Sequence, residues 1–112
     1  MANIYTNAFF DLNTTNLTTV YTCPSDSRAI LQNIQYTNES GTTQIQVYIT
    51  DNSASTTYEI NHNSLSSNQT YNAALGPVIL EENDALKIQA NAVDVISGIA
   101  SILEINRSDQ NG

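Results

Sequence analysis

Positive charge is scarce in this chain of 112 residues. Three basic residues, Arg28, Lys87 and Arg107, stand against eleven acidic ones, and the formal net charge is −8. Proteins that bind nucleic acid neutralise phosphates with clustered Lys and Arg, and anionic membrane surfaces attract the same kind of cluster. The composition therefore excludes nucleic acid and membrane surfaces as partners.

Side chains that carry catalytic or metal chemistry are equally few. Cys23 is the only cysteine, so no intrachain disulfide can form, and His62 is the only histidine. A catalytic imidazole needs an orienting carboxylate and a nucleophile, and no sequence motif places either beside His62. The chain also lacks the nucleophile-elbow, zinc-protease and phosphate-loop motifs. We therefore expect no catalytic residue, no cofactor and no metal ion, and a cupin-type enzyme, which needs several histidine ligands, is disfavoured.

Long apolar runs are missing as well. None approaches the roughly 18 residues of a membrane-spanning helix. The start of the chain, MANIYTNAFFDLN, has no basic lead of the kind that opens a secretory signal. These features predict a protein that is made in the cytoplasm and not exported by the usual route.

Uncharged polar residues fill the composition instead, with 15 Asn, 13 Thr, 11 Ser and 7 Gln. These residues suit turns and sheet faces better than helices. Helical periodicity is nearly absent, whereas apolar and polar residues alternate in several short runs. The clearest run is TQIQVYIT (43–50), in which Ile45 and Val47 share one face and Tyr48 points the other way, as in a half-buried strand.

Two longer runs extend this pattern. In residues 28–38 we expect Ile30 and Ile34 on one face, with Leu31 opposite. Residues 95–105 are apolar on both faces, which predicts a central strand covered on both sides. With turn signals between the runs, the sequence predicts an all-β protein of about eight short strands, an antiparallel β-sandwich of jelly-roll-like type.

The length is that of one domain, which we expect to span residues 1–105. Residues 106–112 contain no apolar side chain and are expected to form a polar C-terminal tail. Residues 1–12 are either the first strand of the sandwich or an arm that docks on a neighbouring subunit.

An acidic segment, EEND (81–84), separates two apolar runs. We interpret it as the tip of a tight hairpin, because Asn83 and Asp84 tolerate the backbone conformations that a short connection needs. The alternative is a calcium site, although the spacing is not that of an EF-hand loop. Its ligands would be the side chains of Glu81, Asn83 and Asp84, with Asp94 or Asp51 from another loop.

The order of these segments resembles small virion structural proteins of tailed bacteriophages. The resemblance rests on the TTVYT-C-P opening (18–24), the NESG turn (38–41) and the segment GPVILEENDALKIQA (76–90), which is followed by VDV. It covers Thr18 to Ile105. One departure is Asn83, where the pattern has Gly, and Asn can adopt the same backbone conformation.

This resemblance implies a non-enzymatic accessory subunit of the virion, at the capsid, neck or tail, that docks in many copies. Its partners would be other phage virion proteins and itself, assembled in the host cytoplasm. The alternative is a carbohydrate- or receptor-binding β-sandwich module that mediates host attachment. The aromatic start and the outward tyrosine of the clearest strand supply the expected interface residues, which are Tyr5, Phe9, Phe10 and Tyr48.

Overall fold

The computed structural model describes residues 2–73 and 77–106, and within these ranges the chain forms nine β-strands and no helix. The strands are β1 Ala2–Leu12, β2 Thr18–Thr22, β3 Ser27–Asn38, β4 Thr43–Asp51, β5 Thr56–Leu65, β6 Gln69–Ala73, β7 Val78–Leu80, β8 Ala85–Ala90 and β9 Ile96–Asn106. The all-β prediction is confirmed, with nine strands where about eight were expected. Strand β9 includes Asn106, the first residue of the predicted tail, and residues 107–112 lie outside the described ranges. No described segment is a helix that could cross a membrane.

The strands form two antiparallel sheets. The large sheet has the order β1-β9-β3-β6, and β7 pairs with β3 beside β6. The small sheet has the order β2-β8-β4-β5. Most connections cross from one sheet to the other, and β4–β5 is a hairpin within the small sheet. Wrapping two sheets in this way gives a jelly-roll β-sandwich.

The core lies between the two sheets and is built from alternate residues of each strand. From β4 it takes Ile45 and Val47, as the alternation predicted. Strand β9 lies between β1 and β3, which confirms that it is a central strand. Only one of its faces packs in the core, and Leu103 on the other face is half-buried, so the prediction that both faces are covered is wrong. The buried apolar side chains are Phe10, Leu12, Cys23, Ala29, Leu31, Ile34, Tyr36, Ile45, Val47, Leu65, Ala73, Leu80, Ala85, Leu86, Ile88, Ala90, Ile96, Ala100 and Ile102.

A β-bulge at Gln32 changes the facing of side chains along β3. Residues Leu31 and Asn33 pair with consecutive positions of β9, so Gln32 is the extra residue. An extra residue reverses the alternation, so Leu31 is buried before the bulge and Ile34 is buried after it. The prediction that Ile30 shares a face with Ile34 is therefore wrong, and Ile30 points to the outer face.

Candidate docking surface

The predicted interface residues Tyr5 and Phe9 lie on β1, the outer strand of the large sheet. Residues 2–12 pair with β9 without interruption, from Ala2–Asn106 to Leu12–Ile96, so in the structure this segment belongs to the sandwich. Tyr5 and Phe9 are 76% and 75% exposed. Both point away from the core, because side chains alternate along a strand and the buried residues of β1, Phe10 and Leu12, occupy the other set of positions.

An apolar row crosses the outer face of the large sheet from Tyr5. Residues directly opposite one another in antiparallel strands share a face. Tyr5 is opposite Leu103, Leu103 is opposite Ile30, and Ile30 is opposite Ile79. Ile79 is 61% exposed, and the two central side chains are half-buried. We call these four side chains the outer row, and they form a continuous apolar strip four strands wide.

A second apolar strip, which is only a pair of side chains, lies further along the same face. Phe9 is opposite Ile99, and beyond Ile99 the row continues with the polar Gln35. Between this pair and the outer row lies a polar row that includes Asn7 and Ser101. The outer face of the large sheet therefore carries two apolar strips separated by a polar one. Contiguous apolar patches on protein surfaces are frequent interaction sites, so this face is the candidate docking surface.

Phe10, the third aromatic residue of β1, faces the core and is 8% exposed. It is opposite Gly98 of β9, and a β-carbon added at Gly98 would lie 2.5 Å from Cζ of the Phe10 ring. The same β-carbon would collide with the backbone oxygen of Gln35. Gly98 thus leaves the space that the Phe10 ring fills, and Phe10 contributes packing to the sandwich.

Tyr48 lies on the opposite surface of the molecule, the outer face of the small sheet, as predicted from the alternation in β4. Its cross-strand neighbours are Lys87 on β8 and Glu59 on β5. The Tyr48 hydroxyl donates a 3.5 Å hydrogen bond to Oε1 of Gln89. Partial desolvation, and then the carboxylate of Glu59, raise the pKa of Tyr48. The structure therefore does not bring Tyr48 together with Tyr5 and Phe9, and its surroundings are polar.

The acidic segment 81–84 forms a turn, but the prediction of a hairpin is wrong. Strand β7 before it belongs to the large sheet and β8 after it to the small sheet, so the turn is a corner between sheets. Asn83 has the left-handed conformation expected for such a turn, with φ of 68°. Its N–H donates to the backbone oxygen of Cys23 (3.0 Å), and the Cys23 N–H donates to that of Asp84 (2.8 Å). These two bonds hold the corner against the residues that follow β2.

Asp84 is buried in this corner and both of its carboxylate oxygens accept backbone hydrogen bonds. Oδ1 accepts from the Asn52 N–H (3.0 Å) and Oδ2 from the Glu81 N–H (2.9 Å). Glu81 and Glu82 form ion pairs with Arg28 at 3.6 and 3.4 Å. In the described ranges, no group of three or more His, Cys, Asp or Glu side chains is placed to hold a metal ion. The arrangement is that of a structural corner held by a buried carboxylate.

Cys23 and His62 occupy different environments. The Cys23 thiol is buried and donates to the backbone oxygen of Ser27 at 3.3 Å. Burial, followed by nearby carboxylates, raises the pKa of Cys23 to about 11. His62 is exposed, and its Nδ1 lies 3.6 Å from Oε1 of Glu59 on the same strand. A protonated, inaccessible thiol is a poor nucleophile, so Cys23 acts as a small core residue.

Sequence reasoning missed Ile30, Leu103 and Ile79 as surface residues. One signal was available, since residues 95–105 are apolar on both faces and one of those faces had to lie outside a two-sheet core. The place of Ile30 in the outer row could not be predicted, because the bulge at Gln32 decides which way this side chain of β3 points.

No protein family and no curated protein sequence matches the chain. Among solved structures, it is similar to a chain of the IBDV viral particle at 9% identity and a TM-score of 0.57; the match covers 91% of this chain and 30% of that one. It is also similar to a chain from the capsid of Helicobacter pylori bacteriophage KHP30, at 14% identity and a TM-score of 0.48, covering 96% and 90% of the two chains. A chain of Bacillus endospore appendages, described as disulfide-linked pili, matches at 11% identity and a TM-score of 0.48, covering 93% and 88%. This chain thus spans about a third of the length of the IBDV chain, and that likeness shows that the two share a β-sandwich fold.

Proposed function

We propose that this protein is a non-enzymatic structural subunit of a virion, and specifically an accessory subunit of a tailed-phage particle that docks in many copies. The observation that carries the proposal is the outer row on the large sheet. A sandwich that worked alone would gain nothing from a strip of apolar side chains in water, whereas a subunit of an assembly uses such a strip to bind its neighbour.

The low positive charge and the uncharged polar surface agree with this role. The net charge of −8 keeps free subunits soluble and apart before they dock. Contacts made by one apolar strip are modest, and many copies on a repeating surface provide attachment through multivalency. The fold shared with a chain of the IBDV viral particle is compatible with the same role.

The test is incorporation of variants into particles, measured by mass spectrometry of purified virions. Ile79→Ser removes an exposed end of the outer row and should lower the number of copies per particle, since losing an interface anchor costs about 1 kcal/mol or more at each site. Tyr58→Ser is the matched control, because Tyr58 is an exposed apolar side chain (54%) on β5 of the small sheet. Equal incorporation of both variants, with both folded, would reject docking through the outer row. Absence of the wild-type chain from purified virions would reject the virion role itself.

The second candidate is a carbohydrate- or receptor-binding module that mediates host attachment. One observation favours it, since Tyr48 lies among polar side chains that could hydrogen-bond to a sugar, including Gln89 and Glu59. The ring is only half-buried and no second aromatic residue lies opposite it on β5 or β8, where its neighbours are Glu59 and Lys87. A glycan array on the purified protein, repeated with Tyr48→Ala, tests this function directly. Binding that disappears in the variant would favour host attachment through the small sheet over docking through the large one.

A further inference from the structure

The four edges of the two sheets differ in how they are protected against pairing with another chain. On the β6/β7 side of the large sheet, β6 has five residues and β7 has three. In the small sheet, β2 has five residues and a register irregularity, and β5 has a bulge and carries Glu59 and His62. Short strands, bulges and charged side chains are the devices by which natural proteins prevent sheets from joining edge to edge.

Strand β1 has little of this protection. It is 11 residues long, its pairing with β9 has no irregularity, and within the described residues it pairs only with β9. It contains no proline and no basic residue, and its one charge is Asp11, near its end. About half of its backbone N–H and C=O groups therefore point away from β9, in a straight line that can accept a further strand.

The side chains of β1 are self-complementary in one register. Suppose that two copies pair antiparallel about a twofold axis at Asn7, the middle of the strand. Each residue then lies opposite the partner residue for which the two residue numbers sum to 14. Tyr5 then lies opposite the partner's Phe9, and Phe9 opposite the partner's Tyr5. The two most exposed aromatic side chains of the chain thus form two cross-strand pairs on the outer face, one on each side of the axis. Aromatic cross-strand pairs are among the favourable pairs in sheets.

The charges of β1 are compatible with the same register. Asp11 lies opposite the partner's uncharged Asn3, so like charges do not meet. The two Asp11 side chains are eight residue positions apart along the ladder, about 27 Å at the rise of an antiparallel strand. This separation exceeds the screening length of about 8 Å at physiological ionic strength, so their repulsion is small.

We propose that β1 is a dimerisation edge, at which a second copy of this chain pairs antiparallel through its own β1 about a twofold axis at Asn7, joining the two large sheets into one. The inference goes beyond the proposed virion role and does not depend on it. It rests on the unprotected edge and on the match between Tyr5 and Phe9.

Two lysine variants of the full chain test the register by sedimentation velocity over a dilution series. Asn7 is exposed and lies on the axis, so Asn7→Lys places two positive charges directly opposite each other and should weaken the dimer about tenfold. Asn3→Lys is the matched control, because it adds the same charge to the same exposed face but lies opposite the partner's Asp11. It should leave the dimer unchanged or strengthen it. A monomeric wild type, a trimer, or equal weakening by both variants would overturn the proposal.

A cross-linking experiment gives an answer even if a lysine variant does not fold. Directly opposite residues have α-carbons about 4.5–5.5 Å apart, within the range that a disulfide spans. Asn7→Cys should therefore form a disulfide-linked dimer under mild oxidation, while the buried Cys23 does not react. Asn3→Cys should not, because the two Asn3 positions are about 27 Å apart in this register. Cross-linking of both variants to the same extent, or of neither, would show that β1 does not pair in this way.

Discussion

Replacing Asn38 with alanine should destabilise the sandwich strongly, although Asn38 is not one of the docking residues. Its side chain is 0% exposed and joins two connections between strands. Nδ2 donates to the backbone oxygens of Gly41 (2.8 Å), Leu65 (3.0 Å) and Ser66 (3.2 Å), and Oδ1 accepts from the Thr43 hydroxyl (3.1 Å). Gly41 lies in the β3–β4 connection and Thr43 begins β4, while Leu65 ends β5 and Ser66 lies in the β5–β6 connection. Both connections cross between the sheets.

The magnitude follows from the groups left without a partner. A lost hydrogen bond costs about 1 kcal/mol, and a buried carbonyl that stays unsatisfied costs about 1–3 kcal/mol. With two donors and one acceptor removed, we expect Asn38→Ala to lower the free energy of unfolding by about 3–4 kcal/mol. That loss is a large part of the roughly 5–15 kcal/mol that stabilises a typical domain.

Urea unfolding followed by circular dichroism measures this loss, and an unchanged m-value would show that the folded state keeps its compactness. Gln35→Ala is the control, because Gln35 is exposed on the same strand and its removal should change the stability by no more than about 0.5 kcal/mol. A loss below about 1 kcal/mol for Asn38→Ala would refute the view that this side chain joins the connections.

Three further predictions concern the core. Gly98→Ala should cost about 1–3 kcal/mol in urea unfolding, because the added β-carbon meets the Phe10 ring, and an unchanged midpoint would contradict this packing. Cys23 should react with a thiol reagent at pH 8 only after denaturant is added, and fast labelling of the folded protein would show that the thiol is accessible. Burial raises the pKa of the Cys23 thiol from 9.0 to about 11, and burial also raises the pKa of Tyr21 and of Tyr36 above 10.0. These three groups lose their protons at lower pH in the unfolded chain than in the folded one. Their contribution to stability should therefore be constant up to about pH 9 and should fall as the pH rises further. A melting temperature that stays level to pH 11 would show that these side chains are not buried as described.

The alternation of apolar and polar residues was sufficient to predict which side chains are buried in strands that alternate without a break. Ile45 and Val47 are buried and Tyr48 faces outward because β4 alternates without a break through these residues. The two apolar faces of β9 likewise predicted a central strand. The bulge at Gln32 escaped prediction, because an extra residue leaves no mark in composition and yet reverses the facing of Ile30.

Turn residues were recognised more easily than the path of the chain through the turn. Asn83 adopts the left-handed conformation that the sequence indicated, but the same residue fits a hairpin tip and a corner between sheets equally well. What distinguishes them is the sheet to which each neighbouring strand belongs, and that depends on contacts distant in sequence. The buried state of Asn38 and Asp84 follows from the same contacts, so both looked like ordinary turn residues.

The outer row and the edge of β1 meet at Tyr5, and this links the two proposals physically. In the paired arrangement, the row from Ile79 to Tyr5 continues across the twofold axis into the partner's Phe9. Each row then runs through both subunits, and the two rows are related by the axis. A dimer would therefore present two parallel apolar strips on one face, each longer than the outer row of a single subunit. Because the second strip binds at high effective concentration once the first has docked, a variant that weakens only the β1 pair should also weaken attachment, without changing any side chain of the outer row.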